Sequence, residues 1–180
     1  MASDMHIAYI GLGSNLDNPI QQVTRALLEL DQLSNSYLLA YSSLYQSKAM
    51  TLDDHSADLD ELQLDYINAV AKLATALEPL QLLDMLQAIE NAHERVRKKR
   101  WGARTLDLDI LLYDHTIITS DESDNRLIVP HYGLPARDFV LLPLAEISPN
   151  LVLPDGSELA ALIHNCEQSY LKQLDLQQLD

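Results

Sequence analysis

The chain has 180 residues, of which 47% are apolar and 22% are charged, and its formal net charge at pH 7 is −15. This length and composition predict one domain over residues 1–180 with a hydrophobic core of its own. The negative charge argues against nucleic acid or an anionic membrane as a partner, because both are polyanions. The single cysteine, Cys166, excludes an internal disulfide. No apolar run is long enough for a membrane helix, so we expect a cytoplasmic protein.

The first half of the chain predicts a strand, a helix and a second strand. The stretch HIAYIGLGSN at 6–15 is typical of a strand that ends in a glycine turn. Asn18 and Pro19 are typical of a helix start, and apolar residues then recur at helical spacing over 19–33. Residues 37–46, YLLAYSSLYQ, predict the second strand. An acidic stretch from Lys48 to about Asp65 follows without a clear pattern.

The second half predicts two more strands with a helix between them. Residues 66–77 predict the third strand, Pro79 begins the second helix, and residues 105–113 predict the fourth strand. The order β-α-β-β-α-β is the signature of a ferredoxin-like core, which belongs to the α+β class. Additional C-terminal strands and helices are expected, including a helix after Asp155–Gly156 with Ser157 as its cap.

The fourth strand carries two carboxylates on one face. Alternation places Asp107 and Asp109 on the same side of the strand as Thr105, about 6–7 Å apart at the backbone. Two neighbouring carboxylates need a cation between them, and Mg²⁺ takes one or two carboxylates together with substrate phosphates. The alternative is that both are solvated edge residues or partners of nearby arginines. The other face is predicted to be apolar, with Leu106, Leu108, Ile110 and Leu112.

Six of the chain's 12 basic residues lie in the ten positions before this strand, namely Arg95, Arg97, Lys98, Lys99, Arg100 and Arg104. A helix C-terminus attracts cations, which would explain the basic residues from Arg95 to Lys99. It would not explain Arg104, which lies close to the two aspartates in the sequence. Arginines that flank a carboxylate pair are typical of sites for a magnesium polyphosphate, and the pattern therefore favours phosphoryl transfer. His131 lies between Arg126 and Arg137 and is a further candidate, with a turn histidine as the alternative. By contrast, GLGSNL at 11–16 lacks the third glycine of a dinucleotide fingerprint and predicts a tight strand-to-helix connection.

Four motifs together resemble the 6-hydroxymethyl-7,8-dihydropterin pyrophosphokinase family of folate biosynthesis. They are IGLGSNL, DYINAV, RVRKKRWGARTLDLDILLY and RLIVPHYGLPARDFVLLPLAEI, in this order along most of the chain. The resemblance implies a ferredoxin-like core and transfer of the β,γ-diphosphoryl group of ATP to the hydroxymethyl oxygen of the pterin, with release of AMP. It implies ATP and 6-hydroxymethyl-7,8-dihydropterin as small-molecule substrates, and we expect a monomer.

The resemblance also implies a role for each matching residue. Asp107 and Asp109 would bind two Mg²⁺ ions with ATP, and Arg95 and Arg104 would be catalytic by neutralising charge near the transferred group. The residues implied to contact ATP are Gln87, Glu90, Arg97, Ile110, Arg126, His131, Tyr132 and Arg137. Those implied to bind the pterin are Ser47, Tyr66, Asn68, Trp101 and Phe139, of which Tyr66 and Asn68 would lie on one face of a strand.

The chain departs from the family pattern in two places. The family usually has a threonine and prolines where this chain reads Ser47-Lys48-Ala49-Met50, and it usually has proline where Ala103 stands. We therefore expect weaker pterin binding than in typical members. A catalytically silent paralogue that binds a pterin or nucleotide is the alternative function. A ferredoxin-like RNA-binding module is a second alternative, but it would need a basic, aromatic sheet face.

Overall fold

The computed structural model describes residues 4–48, 65–94, 105–123, 125–166 and 171–174. These residues form six strands, which are β1 (His6–Ser14), β2 (Ser36–Tyr41), β3 (Tyr45–Ser47), β4 (Tyr66–Thr75), β5 (Asp107–Tyr113) and β6 (Leu171–Gln173). They also form four α-helices, which are α1 (Pro19–Asp31), α2 (Pro79–His93), α3 (Asp138–Ile147) and α4 (Leu159–Asn165). The α+β class and the predicted order of the ferredoxin-like core are confirmed, with helices added after β5.

All strand pairs of the sheet are antiparallel, and the main strand order is β5-β1-β4-β3-β6. The long strand β4 pairs with β3 along its first residues and with β2 along its last ones. The prediction of a single strand at 37–46 is therefore wrong in one respect. It is two strands, and Ser42 lies between them, where its hydroxyl accepts a hydrogen bond from the backbone N–H of Val70 at 2.9 Å.

The sheet separates two apolar clusters. On one face, α1 and α2 pack through residues such as Leu30 and Leu86, both fully buried. On the other face, α3 and α4 pack through residues such as Leu141 and Leu159. Burial of apolar surface on both faces makes the sheet the rigid centre of the fold. On this second face, the apolar cluster extends to the first turn of α3, and the candidate site lies between that turn and the sheet.

A β-bulge in β5 changes the predicted faces of that strand. Ile10 of β1 pairs with Ile110, but Tyr9 pairs with Leu112, so Leu111 is an extra residue on β5. An extra residue reverses the alternation of the side chains that follow it. Leu112 consequently lies in the cluster with α3 and α4, whereas Leu108 and Ile110 pack toward α1 and α2. The prediction that Leu112 shares their face is wrong.

Three local predictions need correction. Gly11 and Gly13 lie inside β1, and the left-handed turn occurs later, at Asp17 with φ 52° and Asn18 with φ 63°. Asn18 does precede α1, but its side chain makes no capping hydrogen bond. The predicted cap Ser157 is also wrong, because Glu158 is the residue that precedes α4. Among the described residues, the helices are all too short or too polar to cross a membrane.

Candidate active site

A cavity of about 330 Å³ opens between the sheet and the first turn of α3. This volume is in the range of small-molecule sites. Residues of four neighbouring strands, β5, β1, β4 and β3, form its floor, and the segment from His131 to Val140 forms a wall. The lining residues on which the chemistry depends are Gly11, Gly13, Ser47, Lys48, Tyr66, Asn68, Asp107, Asp109, His131, Arg137 and Phe139.

Two glycines keep the centre of the cavity floor open. Gly13 of β1 pairs with Asp107 on one side and with Asn68 on the other, while Gly11 pairs with Asp109. Neighbouring strands are about 4.8 Å apart, so the backbones of Asp107 and Asn68 are separated by about 10 Å. Because neither glycine projects a side chain into this space, the carboxylate pair and the amide face one continuous cavity.

Asp107 and Asp109 lie on the cavity face of β5, as the alternation predicts. The Asp107 side chain is half-buried and that of Asp109 is exposed. Within the described ranges, no cluster of three or more His, Cys, Asp or Glu side chains could bind a metal ion. Two carboxylates that share a cation with oxygen ligands from water or substrate form the coordination that Mg²⁺ prefers. The donor set fits this ion.

His131 lies in the cavity wall with a defined tautomer. Its backbone N–H donates to the carbonyl of Leu111 at 3.0 Å, which fixes the segment against β5. Its Nδ1 accepts a hydrogen bond from the backbone N–H of Gly133 at 3.1 Å. Burial lowers the pKa of the His131 imidazole; Asp109 opposes this shift and Arg137 adds to it. The lowered pKa favours the neutral ring, whose single proton is then on Nε2, where the N–H group can donate a hydrogen bond to an oxygen anion.

The guanidinium of Arg137 lies close to two aromatic rings. Its Cζ is 5.8 Å from the centroid of the Tyr132 ring and 5.8 Å from that of the Phe139 ring. Tyr132 in turn stacks on His131 with ring centroids 4.6 Å apart. Cation–π contacts of this length restrain a side chain that would otherwise be mobile. Arg137 thus places a positive charge in the cavity wall.

At the opposite end, Tyr66, Asn68 and Phe139 surround the cavity together. Asn68 is 5% exposed, and its Nδ2 donates to the hydroxyl of the equally buried Ser47 at 2.8 Å. This hydrogen bond fixes the amide, so that Oδ1 lies over the floor next to Gly13. Tyr66 and Phe139 are half-buried, and their rings supply flat apolar surface. This end of the cavity can bind a flat heterocycle and accept a hydrogen bond from its edge.

Glu146, in the last turn of α3, connects this helix to the start of β3. Its carboxylate accepts hydrogen bonds from the Ser43 backbone N–H at 3.0 Å, the Ser43 hydroxyl at 2.6 Å and the Tyr45 hydroxyl at 2.7 Å. Burial alone would raise the pKa of Glu146, but these hydrogen bonds outweigh it and lower the pKa below its ordinary value. The contact stabilises the position of α3, whose first turn carries Phe139.

Several predicted site residues lie away from this cavity. Gln87 and Glu90 are on α2, and Arg126 forms an ion pair with Asp84 of the same helix. The side chain of Ile110 is 2% exposed and lies in the core cluster with α1 and α2. Tyr132 is 73% exposed and borders the site through His131 and Arg137. The predicted residues Arg95, Arg97, Trp101 and Arg104 lie outside the described residues.

Among the lining residues that the sequence interpretation missed, Gly11, Gly13 and Lys48 matter most for the chemistry, and the others are apolar. The glycines alternate along β1 with Leu12, and this spacing could have indicated one open face of a strand. Lys48 stands out in the sequence only as a departure from the family pattern, although it follows Ser47 directly.

The arrangement agrees with a comparison against known families. Residues 9–149 match the model of the 7,8-dihydro-6-hydroxymethylpterin-pyrophosphokinase family. This match covers more than half of the chain. The chain belongs to that family. It is accordingly an ATP-dependent pyrophosphokinase of folate biosynthesis.

Individual relatives agree with the family assignment. The chain is 50% identical over 159 residues to the 2-amino-4-hydroxy-6-hydroxymethyldihydropteridine pyrophosphokinase of Haemophilus influenzae, covering 88% of this chain and 92% of that protein. It is 46% identical over 158 residues to the protein of the same name from Pseudomonas aeruginosa, covering 88% and 90%. The fold also matches a Plasmodium falciparum HPPK-DHPS structure with pterin and p-hydroxybenzoate, with a TM-score of 0.65 at 15% identity. That match covers 91% of this chain and 43% of the longer Plasmodium chain.

Proposed function

We propose that the cavity transfers the β,γ-diphosphoryl group of ATP to the hydroxymethyl oxygen of 6-hydroxymethyl-7,8-dihydropterin and releases AMP. The observation that supports this most strongly is the arrangement across Gly13. A carboxylate pair lies on one side, and an oriented amide together with two aromatic rings lies on the other. A separation of about 10 Å leaves room for a heterocycle at one end and a polyphosphate at the other.

The aromatic end binds the pterin in this proposal. Tyr66 and Phe139 contact the two faces of the ring system, and the Oδ1 of Asn68 accepts hydrogen bonds from N–H groups of the pterin edge. Because Asn68 is buried, a ligand without such donors would leave Oδ1 unpaired, which costs about 1–3 kcal/mol. Ser47 keeps the amide in this orientation, and Trp101 is proposed to cover the bound pterin.

The carboxylate end binds ATP. Asp107 and Asp109 would hold two Mg²⁺ ions, which when bound would neutralise the triphosphate and polarise its β-phosphorus. The Nε2–H group of His131 donates a hydrogen bond to a phosphate oxygen, and the guanidinium of Arg137 faces the same phosphates. Arg95 and Arg104 neutralise charge on the transferred group, and Arg97 contributes at the phosphates. The remaining proposed nucleotide contacts are Gln87, Glu90, Ile110, Arg126 and Tyr132.

The reaction is a displacement at the β-phosphorus. The hydroxymethyl oxygen forms a bond to this phosphorus, and the bond from phosphorus to the α,β-bridging oxygen breaks. AMP leaves with that electron pair, and the proton of the hydroxyl group passes to solvent. The contribution of this chain is to align the two substrates and to place positive charge where negative charge develops.

The experiment is to incubate the protein with Mg²⁺ and ATP, with and without 6-hydroxymethyl-7,8-dihydropterin. The proposal predicts AMP only when the pterin is present. Asp107→Asn should abolish the signal, whereas Asp121→Asn, which changes an exposed aspartate outside the cavity, should leave it unchanged. Binding of either substrate without AMP would instead indicate a silent paralogue, and ADP would indicate an ordinary kinase.

The proposal also covers the oligomeric state, the domain organisation and the cellular location of the protein. We propose that it acts as a monomeric, single-domain enzyme in the cytoplasm, where ATP and Mg²⁺ are available.

A further inference from the structure

Gly133 lies directly under the side chain of Arg137. A Cβ atom added to Gly133 would be 2.6 Å from Nε and 2.7 Å from Cζ of Arg137. Both distances are shorter than the non-bonded contacts that real side chains make, so a residue other than glycine would displace the guanidinium. The backbone of Gly133 has φ −85° and ψ −6°, which is ordinary right-handed geometry open to every residue type. Glycine is therefore required here by the contact with Arg137 and not by the backbone conformation.

A displaced Arg137 guanidinium would lose its contacts with two aromatic rings. Tyr132 and Phe139 both make cation–π contacts with the Arg137 guanidinium, each with 5.8 Å between Cζ and the ring centroid. The same group occupies the space that a side chain on Gly133 would fill. Phe139 lines the aromatic end of the cavity, and Tyr132 stacks on His131. Arg137 is thus held between the two ends of the cavity, where its charge is preorganised.

We propose that Gly133 is a positioning residue, which lets the Arg137 guanidinium pack on its backbone and point to the phosphates of bound MgATP. The inference rests on the proposed function, because it assigns the phosphates to this side of the cavity. Preorganisation improves affinity by removing the entropy that a mobile arginine would lose on binding. Loss of the aromatic and backbone contacts should weaken MgATP binding about tenfold.

The backbone N–H of Gly133 offers an internal control. It donates to Nδ1 of His131, and an alanine keeps this N–H. Gly133→Ala therefore changes the Arg137 contact and leaves the His131 tautomer as it is. If Gly133 acts through Arg137, its substitution should have no effect once the guanidinium is absent.

The experiment is a double-mutant cycle with Gly133→Ala, Arg137→Ala and the combined variant. MgATP affinity is measured by calorimetry and stability by thermal unfolding. We expect Gly133→Ala to weaken MgATP binding about tenfold in the wild-type background and less than twofold in the Arg137→Ala background. Its midpoint of unfolding should remain within a few degrees of the wild type.

Gly156→Ala is the matched control. Gly156 has φ +87°, a conformation that alanine rarely adopts, and no described heavy atom lies within 4 Å of the position that its Cβ would take. This variant should therefore lose stability but not MgATP affinity.

Two results would overturn the inference. One is wild-type MgATP affinity in Gly133→Ala. The other is an equal loss in both backgrounds, which would mean that Gly133 acts without Arg137. Failure of the proposed reaction is a separate result. A protein that binds MgATP with the predicted coupling but never releases AMP would contradict the reaction and support the positioning role.

Discussion

Gly13→Ala tests whether the open floor of the cavity is used by the pterin. Beyond the chain neighbours of Gly13, the one described heavy atom within 4 Å of the added Cβ is Oδ1 of Asn68, at 3.6 Å. This is an ordinary contact, so the variant should fold with unchanged stability. The methyl group would, however, stand beside the acceptor that we expect to bind the pterin edge.

The magnitude follows from the burial of that acceptor. Asn68 is 5% exposed, and a buried polar group without its partner costs about 1–3 kcal/mol. Since 1.4 kcal/mol is a factor of ten, the pterin dissociation constant should rise about 5- to 150-fold. MgATP affinity should stay within about twofold, because no described atom of Asp107 lies within 4 Å of the new methyl.

The assay is calorimetric titration of the pterin in the presence of Mg²⁺ and a non-hydrolysable ATP analogue, with MgATP titrated separately. Unchanged pterin affinity in Gly13→Ala would refute the placement of the pterin over this strand. Equal losses for both ligands would refute the division of the cavity into two ends.

Three further variants test other parts of the site. Asp107→Ala or Asp109→Ala should reduce Mg²⁺-dependent turnover about 10³-fold without unfolding, and near-normal turnover would contradict their role. Ser47→Ala should weaken pterin binding about fivefold by freeing the Asn68 amide, as measured by the same titration; unchanged affinity would contradict the proposed orientation. Glu146→Gln should lower the free energy of unfolding by about 1–2 kcal/mol at neutral pH. The pKa of Glu146 is lowered from 4.5 in the folded protein. The stabilisation is therefore fully present above pH 4.5 and is lost as the pH falls through the pKa of the folded protein. A difference in stability between the variant and the wild type that persists below that pKa would contradict this account.

The sequence was sufficient for the main elements of the fold because their signals are local. The apolar repeat in 19–33 and the Pro19 and Pro79 starts predicted α1 and α2 to within a few residues. The two aspartates of β5 faced the predicted side because they precede the bulge. Leu112 lies on the opposite face from the predicted one because it follows the bulge. The position of the extra residue depends on the pairing of β5 with β1, and the alternation of apolar and polar residues does not reveal it.

The site was only partly predictable for the same reason. Asp107 and Asp109 are distinctive in a strand, since a pair of neighbouring carboxylates is unusual beside a packed sheet. Gly11 and Gly13, in contrast, were interpreted as a turn, since glycine in a short motif indicates a turn more often than an open sheet face. Their role depends on which residues lie beside them in the sheet, namely Asp107 and Asn68. A side chain on Gly133 would collide with Arg137, which lies four positions further along the chain. This collision depends on the rotamer of Arg137, which the sequence does not specify.

The central claim is that both terminal phosphates of ATP move together to the pterin. The most direct measurement uses ATP labelled separately at the α-, β- and γ-phosphates, with Mg²⁺ and 6-hydroxymethyl-7,8-dihydropterin, and separates the products. We predict that the β and γ labels appear together in the pterin product and that the α label stays in AMP. Transfer of the γ label alone, with the β label retained in ADP, would contradict the account.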